Sequence, residues 1–74
     1  MNTQIVMDGH GDTRHDFDPN SAASVTRAEA RFRELTGKGF TAVALARDGS
    51  PGKLVRHFDP KAEQTLFIPR LQGG

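Results

Sequence analysis

The stretch Ser21-Ala22-Ala23-Ser24-Val25-Thr26-Arg27-Ala28-Glu29-Ala30-Arg31-Phe32-Arg33-Glu34-Leu35-Thr36 decides the architecture. Val25, Ala28, Phe32 and Leu35 recur at spacings of three, four and three, which places them on one stripe and predicts an amphipathic helix over residues 21–36. Glu29 and Arg33 stand one turn apart in the order that favours an ion pair. Asp18-Pro19 reads as the helix start, because aspartate caps free N–H groups and proline suits the first helical position, where no intrahelical donor is missed. Thr26 with Glu29 resembles a capping box, which leaves a later start open. Gly37 and Gly39 supply backbone freedom where the helix must stop.

Outward from the helix, the pattern changes to extended chain. Residues 3–8 carry β-branched side chains with room for one buried face, and Asp8-Gly9-His10-Gly11-Asp12 is a turn signal. The return strand of that hairpin is residues 13–17, with Thr13, His15 and Phe17 sharing a side. Beyond the helix, residues 40–46 read as a buried strand, Asp48-Gly49-Ser50-Pro51-Gly52 turns the chain, and residues 53–58 complete a second hairpin. Residues 59–63, opening on Asp59-Pro60, look like a capped single helical turn, and residues 65–68 are a last strand ended by Pro69, which lacks an N–H. The expected class is therefore α+β, a ββαββ(β) domain whose mixed sheet packs on one main helix. An internal echo accompanies it: an Asp-Gly turn precedes Arg14-His15-Asp16-Phe17-Asp18-Pro19, and another precedes Arg56-His57-Phe58-Asp59-Pro60. Two similar hairpins on one helix would explain the echo, and so would coincidence in so short a repeat.

Length and composition bound the rest. At 74 residues the expectation is one domain over 1–74, with 1–2 and 70–74 flexible. A chain this short buries only about 60% of the surface it exposes when unfolded. Ile, Leu, Val and Phe make up 16 of 74 residues and net charge is only +1, a balance that favours folding over disorder. Without cysteine there is no disulfide framework, thiolate zinc site or cysteine nucleophile. No apolar run approaches the roughly 18 residues of a membrane span, and the N-terminus lacks a basic segment leading into a hydrophobic one. A soluble, cytoplasmic protein without a membrane partner is expected. Residues 1–20 carry four acids against Arg14, and the remainder carries nine bases against five acids, so the two parts are −3 and +4. Such a split reads either as a dipolar surface that orients a partner or as ordinary solvated charge.

The densest cluster of potential ligands is Asp8, His10, Asp12, His15, Asp16 and Asp18, echoed by His57 and Asp59. Alternation sends His15 and Asp16 to opposite faces. A calcium loop opening at Asp16 fails, because Ser21 replaces the glycine of the sharp turn and Arg27 stands where the bidentate glutamate belongs. Turn-forming and capping aspartates account for the cluster, and no metal or other cofactor is expected. Gly37-Lys38-Gly39 and Gly52-Lys53 are fragments without P-loop spacing, and Leu54 stands where a magnesium-binding Ser or Thr is needed. Arg27 and Arg31 line one side of the helix, but near-neutral charge and the absence of Tyr and Trp argue against a dedicated nucleic-acid binder. His10, His15 and His57 offer bases and Ser50 a hydroxyl, yet no spacing ties them into a triad, so the expectation is not an enzyme. Phe17, Phe32, Phe40, Phe58 and Phe67 fall in predicted elements and read as core.

After the apolar run Leu66-Phe67-Ile68 comes Pro69-Arg70-Leu71-Gln72-Gly73-Gly74. Two glycines without Cβ atoms can lie in an enzyme channel that any side chain would block, and they leave an unhindered carboxylate. The element order in about 75 residues resembles the β-grasp fold of ubiquitin and its relatives. The ending is similar to that family's tail, with Arg70 and Leu71 where ubiquitin alternates arginine and leucine, and bacterial sulfur carriers of thiamine and molybdopterin synthesis share the feature. Pro69 departs from the family tail and stiffens the exit; the five residues from Arg70 to Gly74 still reach roughly 17 Å when extended. The resemblance implies that a separate ATP-dependent activating enzyme adenylates Gly74, which then passes to a thiol or amine or becomes a thiocarboxylate, with Arg70, Leu71 and Gln72 recognised on the way. The chain also resembles short uncharacterised bacterial proteins with Gly-Asp-Thr-Arg near the start, Phe-Asp-Pro later and a closing Gly-Gly, a likeness that brings no activity with it. Two functions are expected: a modifier or carrier acting through Gly73 and Gly74, or a small non-catalytic protein-interaction domain whose tail is incidental.

Overall fold

The computed structural model of this protein describes residues 1–69. Five strands and one helix follow in the order β1 (Asn2–Asp8), β2 (Gly11–Phe17), α1 (Ala22–Gly37), β3 (Thr41–Leu45), β4 (Lys53–Val55) and β5 (Gln64–Ile68). The strands form one mixed sheet in the order β2-β1-β5-β3-β4. β1 pairs antiparallel with β2 and parallel with β5, while β3 is antiparallel to both β4 and β5. The class is α+β, as the sequence pattern predicts. The last strand enters between the two hairpins, where its fully buried Phe67 gains most from cover on both sides. The edges fall to the polar β2, with Asp12, Arg14 and Asp16, and to the three-residue β4, which keeps exposed backbone short.

On the helix side of the sheet, neighbouring residues make two rows. Thr13, Val6, Phe67, Ala42 and Val55 lie side by side across all five strands, and His15, Gln4, Thr65, Ala44 and Lys53 form the row beside them. The first row meets the helix stripe: Val6, Phe32, Leu35, Ala42 and Phe67 are the buried core, and Phe40, Val55 and Phe58 pack against it. Phe58 stacks its ring 5.8 Å from Phe17 and 6.0 Å from Phe32, which in turn lies 5.7 Å from Phe67. The expected aromatic core is thus present, although Phe40 and Phe58 sit in connections rather than in strands. Val25, expected on the buried stripe, is only half-buried at the helix's first turns.

Four expectations need correction. The helix does not start at Asp18-Pro19. Asp18 instead closes a turn on itself, its Oδ1 accepting from the Asn20 N–H at 2.9 Å and its carbonyl from the Ser21 N–H at 3.1 Å. Ser21, in extended conformation, is the N-cap, and its hydroxyl accepts from the Ser24 N–H at 3.3 Å. Thr26 makes no capping box; its hydroxyl donates to the Ala22 carbonyl inside the helix at 2.9 Å. Asp59-Pro60 likewise forms a turn and no helix, with the Lys61 N–H on Asp59 Oδ1 at 2.9 Å and the Ala62 N–H on its carbonyl at 3.2 Å. Finally, the strand expected over 53–58 ends at Val55, because the chain leaves the sheet to carry Phe58 beneath the helix. Asp8 and Asp48 make the same kind of bond, to the N–H groups of His10 at 2.7 Å and Ser50 at 2.9 Å. The sequence echo is therefore a recurrence of one local device, an aspartate folding its own turn. The expected helix stop does hold. Gly39, at φ +99, is preceded by the Lys38 cap; its N–H reaches the Thr36 carbonyl at 3.1 Å and the Phe40 N–H reaches Leu35 at 3.0 Å.

Candidate functional site

The residues expected to carry chemistry, Arg70, Leu71, Gln72, Gly73 and Gly74, lie outside the described residues. The strand that leads to them is well placed: β5 occupies the middle of the sheet and its last residue, Ile68, pairs with Thr41 at the start of β3.

The charged candidates disperse. Asp8, His10 and Asp12 stand at the tip of the first hairpin. Asp18 closes the turn before the helix, at the far end of the same pair of strands, and His57 and Asp59 lie in the connection after β4. Asp16 Oδ1 accepts from the Thr3 hydroxyl at 2.8 Å on one side of the sheet, while His15 faces Gln4 on the other. Among the described residues, no three His, Asp or Glu side chains converge as metal ligands. Nor is the Arg27–Arg31 side simply solvated. Arg31 Nη1 donates to Gln4 Oε1 at 2.9 Å, and the Gln4 amide, fully buried, donates to the Ala28 carbonyl at 2.9 Å. Partial burial, and then the positive charge of Arg31, hold the His15 imidazole below its ordinary pKa. This polar network ties helix to sheet. Its amide anchor, Gln4, follows Asn2 and Thr3 in β1, where the sequence carries no signal that one polar residue is core.

The sheet face turned away from the helix carries a different pattern. Arg14, Ile5, Leu66, Val43 and Leu54 are register partners in one continuous row across five strands, apolar from β1 to β4. Met7 and Ile68 lie on the same face by alternation. Exposure rises from 8% at Ile5 to 37% at Ile68, 44% at Met7 and 75% at Leu54, so the apolar surface is open to solvent at its margins. One end is covered by backbone: a Cβ on Gly52 would lie 2.7 Å from Val43 Cγ1 and 2.8 Å from Leu45 Cδ2, so only glycine lets the 46–52 loop pass so close. No helix among the described residues covers the face, and none is long and apolar enough to cross a membrane. The sequence reading assigned β1 one buried side. The signal overlooked there is the consecutive apolar pair Ile5-Val6, which puts apolar side chains on both faces of β1, as the continuous runs of residues 40–46 and 66–68 do for their strands.

No family model, curated protein or solved structure matches the chain. The functional case therefore rests on geometry. An apolar row with a guanidinium at one end is suited to adhesion. Within the row Ile5 is buried and Leu66 and Val43 are half-buried, while Leu54, Met7 and Ile68 expose apolar surface around them.

Proposed function

We propose that this protein is a ubiquitin-like carrier or modifier of β-grasp kind, recognised by partner proteins on its open sheet face and joined to them through Gly74. The apolar row Ile5, Leu66, Val43 and Leu54 is the observation that supports this reading most. The order of strands, with the last one central and parallel to the first, supports it further. In the proposed sequence of events an activating enzyme binds the domain and ATP. A Gly74 carboxylate oxygen attacks the α-phosphorus, pyrophosphate leaves, and an acyl-adenylate forms. A thiolate or amine then adds to the Gly74 carbonyl carbon and AMP departs; sulfide adding at the same step, with AMP again the leaving group, yields a thiocarboxylate. This chain supplies the acyl group, with Arg70, Leu71 and Gln72 as recognition elements, and no catalytic side chain. Intact mass spectrometry of the protein from its native host is expected to show adducts or a thiocarboxylate that vanish on deletion of Gly73 and Gly74. Free, unmodified protein in cells that demonstrably contain activating enzymes would refute the carrier role.

The same open face also favours a second reading, a non-catalytic interaction domain in which the tail has no part, because adhesion through the row needs no terminal chemistry. Pull-down then retains the same partners after tail deletion and loses them with Leu66→Glu, at the centre of the row. Loss of partners on tail deletion alone, with the face intact, would end this second reading.

A further inference from the structure

On the helix side, at the corner away from β2, the packing leaves a groove. It forms because β4 stops after three residues and residues 56–58 swing under the helix, so the end of β4, the start of β3 and the last turns of α1 do not close on one another. Two adjoining cavities of about 300 Å³ and about 190 Å³ share Thr36 and Arg56 as common walls. Phe40, Ala42 and Val55 give the larger one an apolar floor. Glu29, Arg33 and His57 rim the smaller one over the rings of Phe32 and Phe58.

Size and charge together select an occupant. A volume of about 300 Å³ lies at the bottom of the range for small-molecule sites, roughly 300–1,000 Å³, and suits a single large side chain better than a nucleotide. Around it, Glu29 is engaged by Arg33 at 3.4 Å, whereas Arg56, exposed, makes no ion pair with any described residue. The rim thus has one surplus guanidinium. β4 is also an edge of the sheet, so the outward backbone groups of Lys53, Leu54 and Val55 have no strand partner among the described residues. An edge of this kind is where an extended peptide adds by backbone hydrogen bonding.

We propose that this groove docks an extended acidic segment of a partner protein, with a large apolar side chain seated on Phe40, Ala42 and Val55 and a carboxylate, one or two residues later, paired with the Arg56 guanidinium. The groove opens on the helix side of the sheet and shares only Leu54, at its margin, with the apolar row; the proposal uses neither Ile5, Val43 and Leu66 nor Gly74, so it stands or falls separately from the carrier reading.

The test uses the full chain, isotope-labelled, titrated by NMR with three probes: acetyl-Leu-Phe-Asp-Glu-Gly-amide, its charge-reversed counterpart acetyl-Leu-Phe-Lys-Lys-Gly-amide, and acetyl-Ala-Ala-Asp-Glu-Gly-amide. The first is expected to shift the amides of Phe40, Val55, Arg56 and His57, and to bind at least about tenfold more tightly than either control, a difference of about 1.4 kcal/mol. Arg56→Glu abolishes that preference, and Arg56→Lys, which keeps the charge but not the fork, weakens binding less. Arg56 is exposed, so neither variant threatens the core. Equal binding of the three probes, shifts confined to Ile5 and Leu66, peptide-independent broadening from pairing of two copies at β4, or no shift at all would overturn the proposal.

Discussion

Gln4 lies at 0% exposure with both ends of its amide occupied, between the Ala28 carbonyl and Arg31. A buried amide is tolerated only when its polar atoms are paired, and no buried side-chain N or O among the described residues lacks a partner. Arg31 is thereby held beside His15, which faces Gln4 from the neighbouring strand. Burial first and Arg31 second lower the His15 pKa in the folded state, so the unfolded chain takes up that proton more readily. The contribution of His15 to stability is accordingly complete above the unfolded imidazole pKa and is lost as pH falls through the lower folded value. Arg31→Gln, which removes the charge while keeping an amide, is expected to raise the His15 pKa towards its ordinary value, read from the imidazole proton shifts in an NMR titration. An unchanged pKa would show that burial alone sets it. None of this was legible at residue scale, because a glutamine between Thr3 and Ile5 looks like any strand polar residue until the opposing helix is placed.

Among elements, the helix was read closely because its signals are local. The stripe of Ala28, Phe32 and Leu35 and the glycine stop at Gly39 all lie within a few turns of chain. Its N-cap lies three positions beyond Asp18, since an aspartate before proline can cap a helix or fold its own turn, and Ser21 with Ser24 decides the contest in favour of the turn. The strands depend on more distant partners, and Gly52 illustrates the difference. An added Cβ would meet the stiff branched side chain of Val43 at 2.7 Å, whereas at Gly9 it would meet nothing within 4 Å. Gly52→Ala is expected to cost about 1–3 kcal/mol by overpacking the loop on the sheet, and Gly9→Ala to change stability by less than about 1 kcal/mol. Chemical denaturation of both variants checks the contrast; equal effects would mean that the loop moves aside freely.

For the whole molecule, Phe67 is the point where sheet and helix meet: fully buried, central in the sheet and edge-to-face with Phe32. Phe67→Ala is expected to cost about 3–5 kcal/mol, a large part of the roughly 5–15 kcal/mol available to a small domain. Leu54→Ala, at 75% exposure on the open face, is expected to stay within about 0.5 kcal/mol. Urea unfolding that ranked the two alike would contradict the assigned core. Sequence alone determined the α+β class, the helix stripe, two hairpins and the aromatic core, because helical spacing and turn chemistry act between residues close along the chain. Tertiary structure decided that β5 lies between the hairpins, that Gln4 and Arg31 meet, and that Ile5, Leu66, Val43 and Leu54 join into one apolar row. Each of these needs residues from opposite ends of the chain, such as Thr3 and Gln64, to pair in a particular register. A slip of one residue would turn every side chain of a strand to the other face, and the register is selected by burial of Phe67 and Val6 against the helix.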